Sequence, residues 1–314
     1  MAYTNTDTNM TTSSALSAGM QTYYNRELLR TFEPNLVHLQ FGDEHRMPPH
    51  SGLVMNMRKL IPLETNTKAL SEGDPGESVM LAETEVTVQL QQYGEYARCT
   101  DKLDLTHLDM DIMRRTKLFG DAGARSIDAV VREELAKCAN VIYAGGKANR
   151  AELTAADKLT SRELRKAVKT LKKNHAQTFG GYFVAIIGPD TMYDLQEDEA
   201  FVKVSQYQDK ENIYTGEVGR LFGVRLVETT EAKIFEGAGA SGADVASVIV
   251  LGQYAYGVTS LKGAKPRVIV KPAGSAGTAD PLDQISTVGW KMDGFGAKLL
   301  QPEYAVRIEC GFSA

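Results

Sequence analysis

The sequence has few of the residues from which secreted proteins and many enzymes build their stabilising or catalytic sites. Its 314 residues include three cysteines, five histidines and one tryptophan. Cys99, Cys138 and Cys310 are far apart and form no CxxC pair, so they predict free thiols in a reducing compartment. The histidines form no HExxH motif, and no GxSxG motif is present. The sequence predicts neither a disulfide framework nor a recognisable catalytic centre.

The chain also lacks an excess of basic residues and any long apolar run. Its net charge of −5 excludes a surface that is basic overall and would hold nucleic-acid phosphates. The first 20 residues have neither a basic start nor an apolar core, so they do not resemble a signal peptide. No apolar stretch approaches the length of a membrane span. We therefore expect a soluble protein of cytoplasmic origin with no membrane partner.

Two short matches to phosphate-binding motifs lack the required context. Residues 237–242, GAGASG, match GxGxxG, but the segment that follows is short and β-branched instead of helical. Lys147 follows two glycines, yet Ala148 stands where a P-loop needs serine or threonine. We predict no cofactor, and a nucleotide-binding enzyme is kept only as an alternative.

Residues 69–78, ALSEGDPGES, combine three acids with two glycines and a proline. A calcium loop needs oxygen ligands at fixed alternating positions and a distal bidentate glutamate, and Glu72, Asp74 and Glu77 do not have that spacing. Glycine and proline favour turns. The segment predicts a solvated turn, with a metal loop as the alternative, and we predict no metal.

The residues on both sides of this turn alternate between apolar and polar. The apolar positions are Leu53, Met55 and Met57 before it, and Val86, Val88 and Leu90 after it. This period predicts two strands of about 17 residues, each spanning roughly 55 Å. A two-stranded hairpin is marginal alone. It therefore either folds back on its own domain or reaches onto another copy.

A long helix follows the hairpin. Apolar residues recur at three- and four-residue steps from Ile112 to Ile142, which predicts about 35 helical residues ending before Gly145 and Gly146. Asp109 and Asp111 suit the helix N-terminus better than a metal site with His107. Cys138 falls on the apolar stripe and is predicted to be part of the core.

A second helix is predicted from Thr160 to His175, with Ser161 as its cap. One face is basic and carries Arg162, Arg165, Lys166, Lys169, Lys172 and Lys173. This face is either a solvated surface or a contact with phosphates or an acidic neighbour. Later segments predict a buried strand at 181–188, a helix that Pro189 begins, and further strands up to Cys310.

The first 20 residues are rich in threonine, serine and asparagine, and alone they would form a loose arm. This arm either packs on its own domain or is held by a neighbouring subunit. An arm, a long hairpin and a long helix, without a catalytic constellation, are typical of a protein that assembles.

Several segments, in this order along the chain, resemble the major capsid proteins of tailed bacteriophages, in particular the coat-protein group typified by coliphage N-four. They are EPNLVHLQFG (33–42), LSEGDPG (70–76), VQLQQYGEYARCTDKLDL (88–105), the following helix, GYFVAIIGPDTMYDLQED (181–198) and GEVGRLFGVRLVETT (216–230). Together they cover most of residues 20–230. The resemblance implies an α+β, Hong-Kong-97-type fold with a spine helix, a peripheral domain and an axial domain.

By this resemblance the chain divides into five parts. These are an N-terminal arm (1–40), an extended loop with flanking strands (41–104), a peripheral domain with the spine helix (105–180), an axial domain (181–272) and peripheral-domain strands (273–314). The self-assembly residues implied for the loop tip are Ser71, Glu72, Gly73, Asp74, Pro75, Gly76, Glu77 and Ser78. Those implied for the arm are Tyr23, Tyr24, Arg26 and Leu28.

The function implied is that of a structural, non-enzymatic shell protein that forms an icosahedral capsid around a double-stranded DNA genome. The expected partners are copies of the chain in pentamers and hexamers, portal, scaffold and decoration proteins, and packaged DNA bound non-specifically. We expect assembly in the host cytoplasm and residence in the virion. The arm is too short to be a scaffolding segment, so any scaffold is expected to be a separate protein. An encapsulin-like cargo compartment is an alternative with the same fold.

Overall fold

The computed structural model describes residues 28, 36–48, 51–60, 67, 69, 80, 83–100, 112–198, 201, 220–261, 265–275 and 280–313. The strands are β1 (Asp43–Met47), β2 (Val54–Leu60), β3 (Glu83–Gln89), β4 (Gln91–Thr100), β5 (Val141–Tyr143), β6 (Phe183–Ile187), β7 (Arg220–Leu221), β8 (Val224–Glu228), β9 (Ile234–Phe235), β10 (Val245–Leu251), β11 (Tyr256–Leu261), β12 (Arg267–Lys271), β13 (Ile285–Leu299) and β14 (Ala305–Cys310). The helices are α1 (Ile112–Leu135), α2 (Ser161–Lys173) and α3 (Pro189–Gln196). Among these residues, no helix is long and apolar enough to cross a membrane.

A seven-stranded sheet forms the larger core. Its strand order is β5-β14-β10-β6-β8-β7, and β9 pairs with β10 at one end. Every residue of β6 and β10 is buried, as their continuous apolar sequences predict. Because successive side chains of a strand point to opposite faces, Val184 and Ile186 pack with α1, whereas Ala185 and Ile187 pack with α2 and α3. Helices therefore cover both faces of this sheet.

A five-stranded sheet lies beside it, in the order β1-β11-β13-β12, with β4 also paired to β13. Trp290, Met292 and Phe295 of β13 belong to the same apolar cluster as the buried face of α1. The pairing of β13 with β4 shifts register between Met292 and Phe295, where Gly294 has φ of 73°. A left-handed residue is cheap only for glycine, so Gly294 allows this bulge in the long strand.

The spine helix ends earlier than its sequence periodicity predicts. Its described part has 24 residues, about 36 Å, and ends at Leu135, so the prediction that it continues to Ile142 is wrong. Residues 141–143 instead form β5, which pairs in parallel with β14. Their β-branched and aromatic side chains favour a strand, and the edge of the large sheet offers the partner. Asp109 and Asp111 lie outside the described residues.

Strands from the two predicted domain ranges 181–272 and 273–314 pair with one another. β11 and β12 fall within 181–272, the range assigned to the axial domain, yet both pair with β13 in the five-stranded sheet. β14 falls in 273–314, assigned to the peripheral domain, yet it pairs with β10 in the seven-stranded sheet. The chain thus crosses between the sheets more than once, and the domain limits stay a prediction.

Candidate self-assembly surfaces

The hairpin β2–β3 forms a two-stranded sheet of its own. Its register runs from the pair Val54 and Gln89 to the pair Leu60 and Glu83. Most of its described side chains are exposed or half-exposed, and only Met57 and Val88 are buried. The alternation predicted from the sequence is therefore correct, but its apolar face is covered only near the base of the hairpin.

Two glycines hold this base against the five-stranded sheet. A Cβ atom on Gly257 of β11 would lie 2.7 Å from the Met57 sulfur, and one on Gly296 of β13 would lie 2.8 Å from Val88 Cγ1. Real Cβ atoms do not approach side chains so closely, so the two glycines provide the space into which Met57 and Val88 pack. We call these four residues the hairpin seat.

An ion pair fixes the same part of the hairpin. Lys59 Nζ lies 2.7 Å from Glu303 Oε2, in the turn before β14. The hydrogen bond from Lys59 lowers the pKa of Glu303, against the opposing effect of partial burial. The hairpin is thus connected to both sheets at its base.

On both sides of the seat, apolar side chains of the hairpin are left uncovered. Leu53 is 59% exposed, Val54 52% and Met80 90%. The predicted loop-tip residues, 71–78, lie outside the described residues. The described part of the hairpin therefore presents apolar surface that no other described residue covers.

The second candidate surface is the root of the N-terminal arm. Leu28, one of the predicted arm residues, is fully buried in the apolar cluster that contains Ile127 and Val131 of α1. Its side chain packs within its own subunit. Tyr23, Tyr24 and Arg26 lie outside the described residues.

A buried hydrogen-bond network holds the segment after this root. Asp128 of α1 accepts hydrogen bonds from the backbone N–H groups of His38, at 2.7 Å, and Leu39, at 3.3 Å. His38 Nδ1 lies 2.5 Å from the other carboxylate oxygen of Asp128. The hydroxyl of Tyr256 donates to the His38 carbonyl. The Asp128 carboxylate is fully buried, and its contacts with His38 and Leu39 satisfy it.

The Tyr256 hydroxyl is a donor over the whole physiological pH range. Burial, and next the Asp128 carboxylate, raise the pKa of Tyr256 far above its ordinary value. The segment Leu36–Gly42 is therefore fixed between the spine helix and β11. Sequence analysis missed this network because His38 and Asp128 are 90 positions apart, and a lone histidine carries no pattern.

The basic face of α2 forms as predicted, with one change at its start. The N-cap is Thr160, not Ser161, whose N–H instead donates to Asp198 at 2.8 Å. Leu164, Ala167 and Leu171 are buried on the opposite side of the helix. The exposed cations are Arg162, Arg165, Lys169, Lys172 and Lys173.

The motifs that suggested enzymatic chemistry have other roles. Residues 237–242 connect β9 to β10 through a short 3-10 turn, and a strand instead of a helix follows them. A dinucleotide site of the GxGxxG type is therefore not formed there. Over the described ranges, no group of three or more histidine, cysteine or acidic side chains could hold a metal ion. The three cysteines, all described by the structure, are buried and form no disulfide.

A protein-family model supplies the observation that decides the class of this molecule. The model described as phage capsid protein matches residues 83–308, which is more than half of the chain. The chain belongs to the phage capsid protein family. A capsid is built from many copies of its subunit, so this structural protein associates with itself.

Solved structures support the same fold. The capsid protein of cyanophage P-SCSP1u is 16% identical, with a TM-score of 0.66 over 88% of this chain and 89% of that chain. The capsid protein of Ralstonia phage GP4 is 14% identical, with a TM-score of 0.68 over 100% and 98%. A virus-like particle from Pyrococcus furiosus is 12% identical, with a TM-score of 0.53 over 92% and 99%. A comparison with curated protein sequences finds no match.

These findings confirm the family resemblance, the α+β capsid fold and the structural role in a bacteriophage shell. They do not favour a cargo compartment or a nucleotide-binding enzyme. A capsid protein functions in the virion. Because the subunit associates with itself, the exposed hairpin and the segment around the arm root are candidate contact surfaces.

Proposed function

We propose that the chain is the major subunit of an icosahedral shell around a double-stranded DNA genome, built from pentamers and hexamers, and that its hairpin and arm join neighbouring copies. The exposure of β2–β3 carries this proposal. A two-stranded hairpin whose side chains are mostly uncovered is marginal in water, so a surface of another copy is the natural source of its missing contacts.

The proposal assigns the loop tip, residues 71–78, to a contact with an adjacent subunit. The tip contains turn-forming residues and three acids, and it belongs to a hairpin that the described residues hold at the seat and through the Lys59–Glu303 ion pair. In the arm, Tyr23, Tyr24 and Arg26 are assigned to inter-subunit contacts, whereas Leu28 connects the arm to its own core. The five-part division of the chain, from the arm at 1–40 to the last strands at 273–314, is part of the same proposal.

The remaining partners follow from the same function. A phage shell needs a portal through which DNA enters, and we propose a separate scaffold protein during assembly in the host cytoplasm, with decoration proteins on the finished particle. The packaged DNA contacts the shell non-specifically, because a chain with a net charge of −5 does not hold phosphates tightly. No catalytic step is assigned to the chain.

The test replaces residues 71–78 with a glycine–serine segment of equal length. We expect the unassembled protein to keep its circular-dichroism spectrum and its unfolding midpoint, while megadalton particles disappear from sedimentation profiles and electron micrographs. The control Lys265→Ala/Lys271→Ala changes two exposed residues outside the loop and the arm and should assemble. Unfolding of the unassembled variant would instead assign the tip to the core of its own subunit.

A further inference from the structure

The basic face of α2 is not explained by the fold. The helix carries six basic residues and one acidic residue, whereas the whole chain has a net charge of −5. The rest of the chain therefore has a net charge of −10. The single acid, Glu163, is buried and bonded to Thr160 and Lys166, so it does not neutralise the exposed face. Positive charge is concentrated on one short helix of an acidic molecule.

The exposed cations of α2 have no acidic partner within the part of the chain that the structure describes. Arg165 lies 5.0 Å from the centre of the Phe222 ring and donates to the Ser161 carbonyl. No ion pair is formed there by Lys169, Lys172 or Lys173, although acids are in excess in the chain. Like charges at neighbouring helix positions repel one another. An external anionic surface would relieve this repulsion.

A complementary acidic surface lies around the loop between β9 and β10. Glu152, Glu236 and Asp244 are exposed there, and none of them forms an ion pair with a described residue. The loop is held in place, because the Gly237 N–H donates to Asp244 at 2.7 Å and the Ala240 N–H donates to the Leu153 carbonyl at 2.7 Å. We call these three acids the acidic loop surface.

The two surfaces lie at opposite ends of the same strands. Asn174, which follows α2, donates to the Glu303 carbonyl at 2.9 Å, just before β14 begins. The acidic loop leads into β10, whose Ala246 pairs with Cys310 at the end of β14. Six residues of β14 separate these ends by about 20 Å. Lys172 and Lys173 therefore cannot reach the acidic loop surface of their own chain.

We propose that the C-terminal half of the α2 basic face packs against the acidic loop surface of an adjacent copy in the capsomer ring. Two different, complementary surfaces at opposite ends of a subunit make a head-to-tail contact, and such contacts close into rings when the rotation per copy fits. The inference rests on the proposed function, since it assumes that copies associate in rings.

DNA is the other polyanion in a phage head, but the observations favour a protein partner. Helix α2 itself contains no aromatic residue, and the nearby Phe222 ring already packs against Arg165, so base stacking is not favoured. The remaining charge of −10 also repels phosphates. Complementary charges instead steer identical subunits into one register and exclude wrong pairings.

The test is a charge swap in the full chain, expressed with its scaffold. Lys172→Glu/Lys173→Glu and, separately, Glu152→Lys/Glu236→Lys should each reduce the yield of megadalton particles by about tenfold or more, because like charges then meet at the contact. The variant with all four substitutions restores opposite charges and should restore at least about half of the wild-type yield. The matched control Arg46→Glu/Lys265→Glu reverses two exposed cations elsewhere and should assemble normally.

The outcomes separate this inference from the proposed function. If wild-type protein forms no particles with scaffold, the proposed function is wrong, whatever the charge variants do. If both double variants fail to assemble and the variant with all four substitutions also fails, the proposed pairing of these two surfaces is wrong. If Lys172→Glu/Lys173→Glu assembles normally but retains less DNA, the basic face binds the genome and the inference is overturned.

Neutral variants keep the test decisive if charge reversal prevents folding. Lys172→Gln/Lys173→Gln and Glu152→Gln/Glu236→Gln should each weaken assembly, with little further loss when they are combined. Non-additivity of this kind indicates a direct contact. Losses that simply add would show that the two surfaces act independently and would overturn the inference.

Discussion

The seven-stranded sheet and the β2–β3 hairpin differ in how far they bury their apolar side chains. In the sheet, β6 and β10 are buried along their whole length, and helices cover both faces. Among the described residues of the hairpin, only Met57 and Val88 are buried. Each fully buried aliphatic side chain contributes about 1.5–3 kcal/mol to folding. Burial within one chain therefore stabilises the sheet far more than the described part of the hairpin.

The comparison predicts that mutations divide into two classes. Changes in the sheet should lower the stability of the free subunit, and changes in the hairpin should lower assembly while leaving the subunit folded. The arm root and the hairpin seat, which connect the core to the extended segments, should affect both.

The largest effect on the free subunit is expected in the sheet. Ile186→Ala removes a side chain that is buried between β6 and α1, and should lower the free energy of unfolding by about 3–4 kcal/mol. Urea denaturation of the unassembled protein measures this loss. Val54→Ala in the hairpin is the control and should change the same free energy by less than about 0.5 kcal/mol. Equal losses at the two positions would contradict the comparison.

The next effect is expected at the arm root. Asp128→Asn keeps the size of the side chain but leaves fewer acceptors for His38, and should cost about 1–3 kcal/mol. Trypsin should then cleave the arm after Arg26 or Arg30, upstream of Leu36, at a higher rate than in the wild type. Asp121→Asn, which removes the charge of a half-buried carboxylate bonded to Arg125 on the same helix, is the control. An unchanged cleavage rate would show that the network does not hold the arm.

A smaller effect on folding, but a large one on assembly, is expected at the seat. Gly296→Ala places a methyl group against Val88 and should cost about 1–2 kcal/mol while tilting the hairpin. Particle yield should fall more than stability does. Combining it with Val88→Ala removes the closest contact but leaves the Gln89 carbonyl 3.0 Å away, so assembly should recover in part. No recovery at all would show that the Val88 contact is not the cause of the defect.

The smallest effect depends on pH. Because Lys59 lowers the pKa of Glu303, the stabilisation is present above the unfolded-state pKa and is lost as the pH falls through the lowered value, below 4.5. The side chain of Glu303 is 56% exposed, so solvent screening limits the effect to about 0.5 kcal/mol. Wild-type protein and Glu303→Gln should differ in unfolding free energy at pH 7 and converge near pH 3. A constant difference would assign the effect to packing.

Much of the fold was predictable because local patterns determined it. The continuous apolar run of β6, the proline at the start of α3 and the alternation in β2 and β3 all appear as expected. Each of these depends on neighbouring residues alone. The class of the protein was likewise predictable from the order of several segments.

The rest depended on contacts between distant residues. β5 was hidden at the end of a helical pattern because its pairing with β14 is formed 166 positions away, between Val141 and Arg307. The hairpin seat needs Gly257 and Gly296 to lie under Met57 and Val88, which no local pattern specifies. The exchange of strands between the two sheets was missed for the same reason.

Helix α1 contributes to the core of both sheets through a single apolar face, in which Ile127 and Val131 join side chains from β6, β10 and β13. The two sheets cannot rotate against each other without repacking that shared core, which close packing resists. The two sheets and α1 are therefore expected to move as one rigid unit. In the proposed shell of pentamers and hexamers, we expect the β2–β3 hairpin to adjust to the difference in curvature between the two kinds of ring.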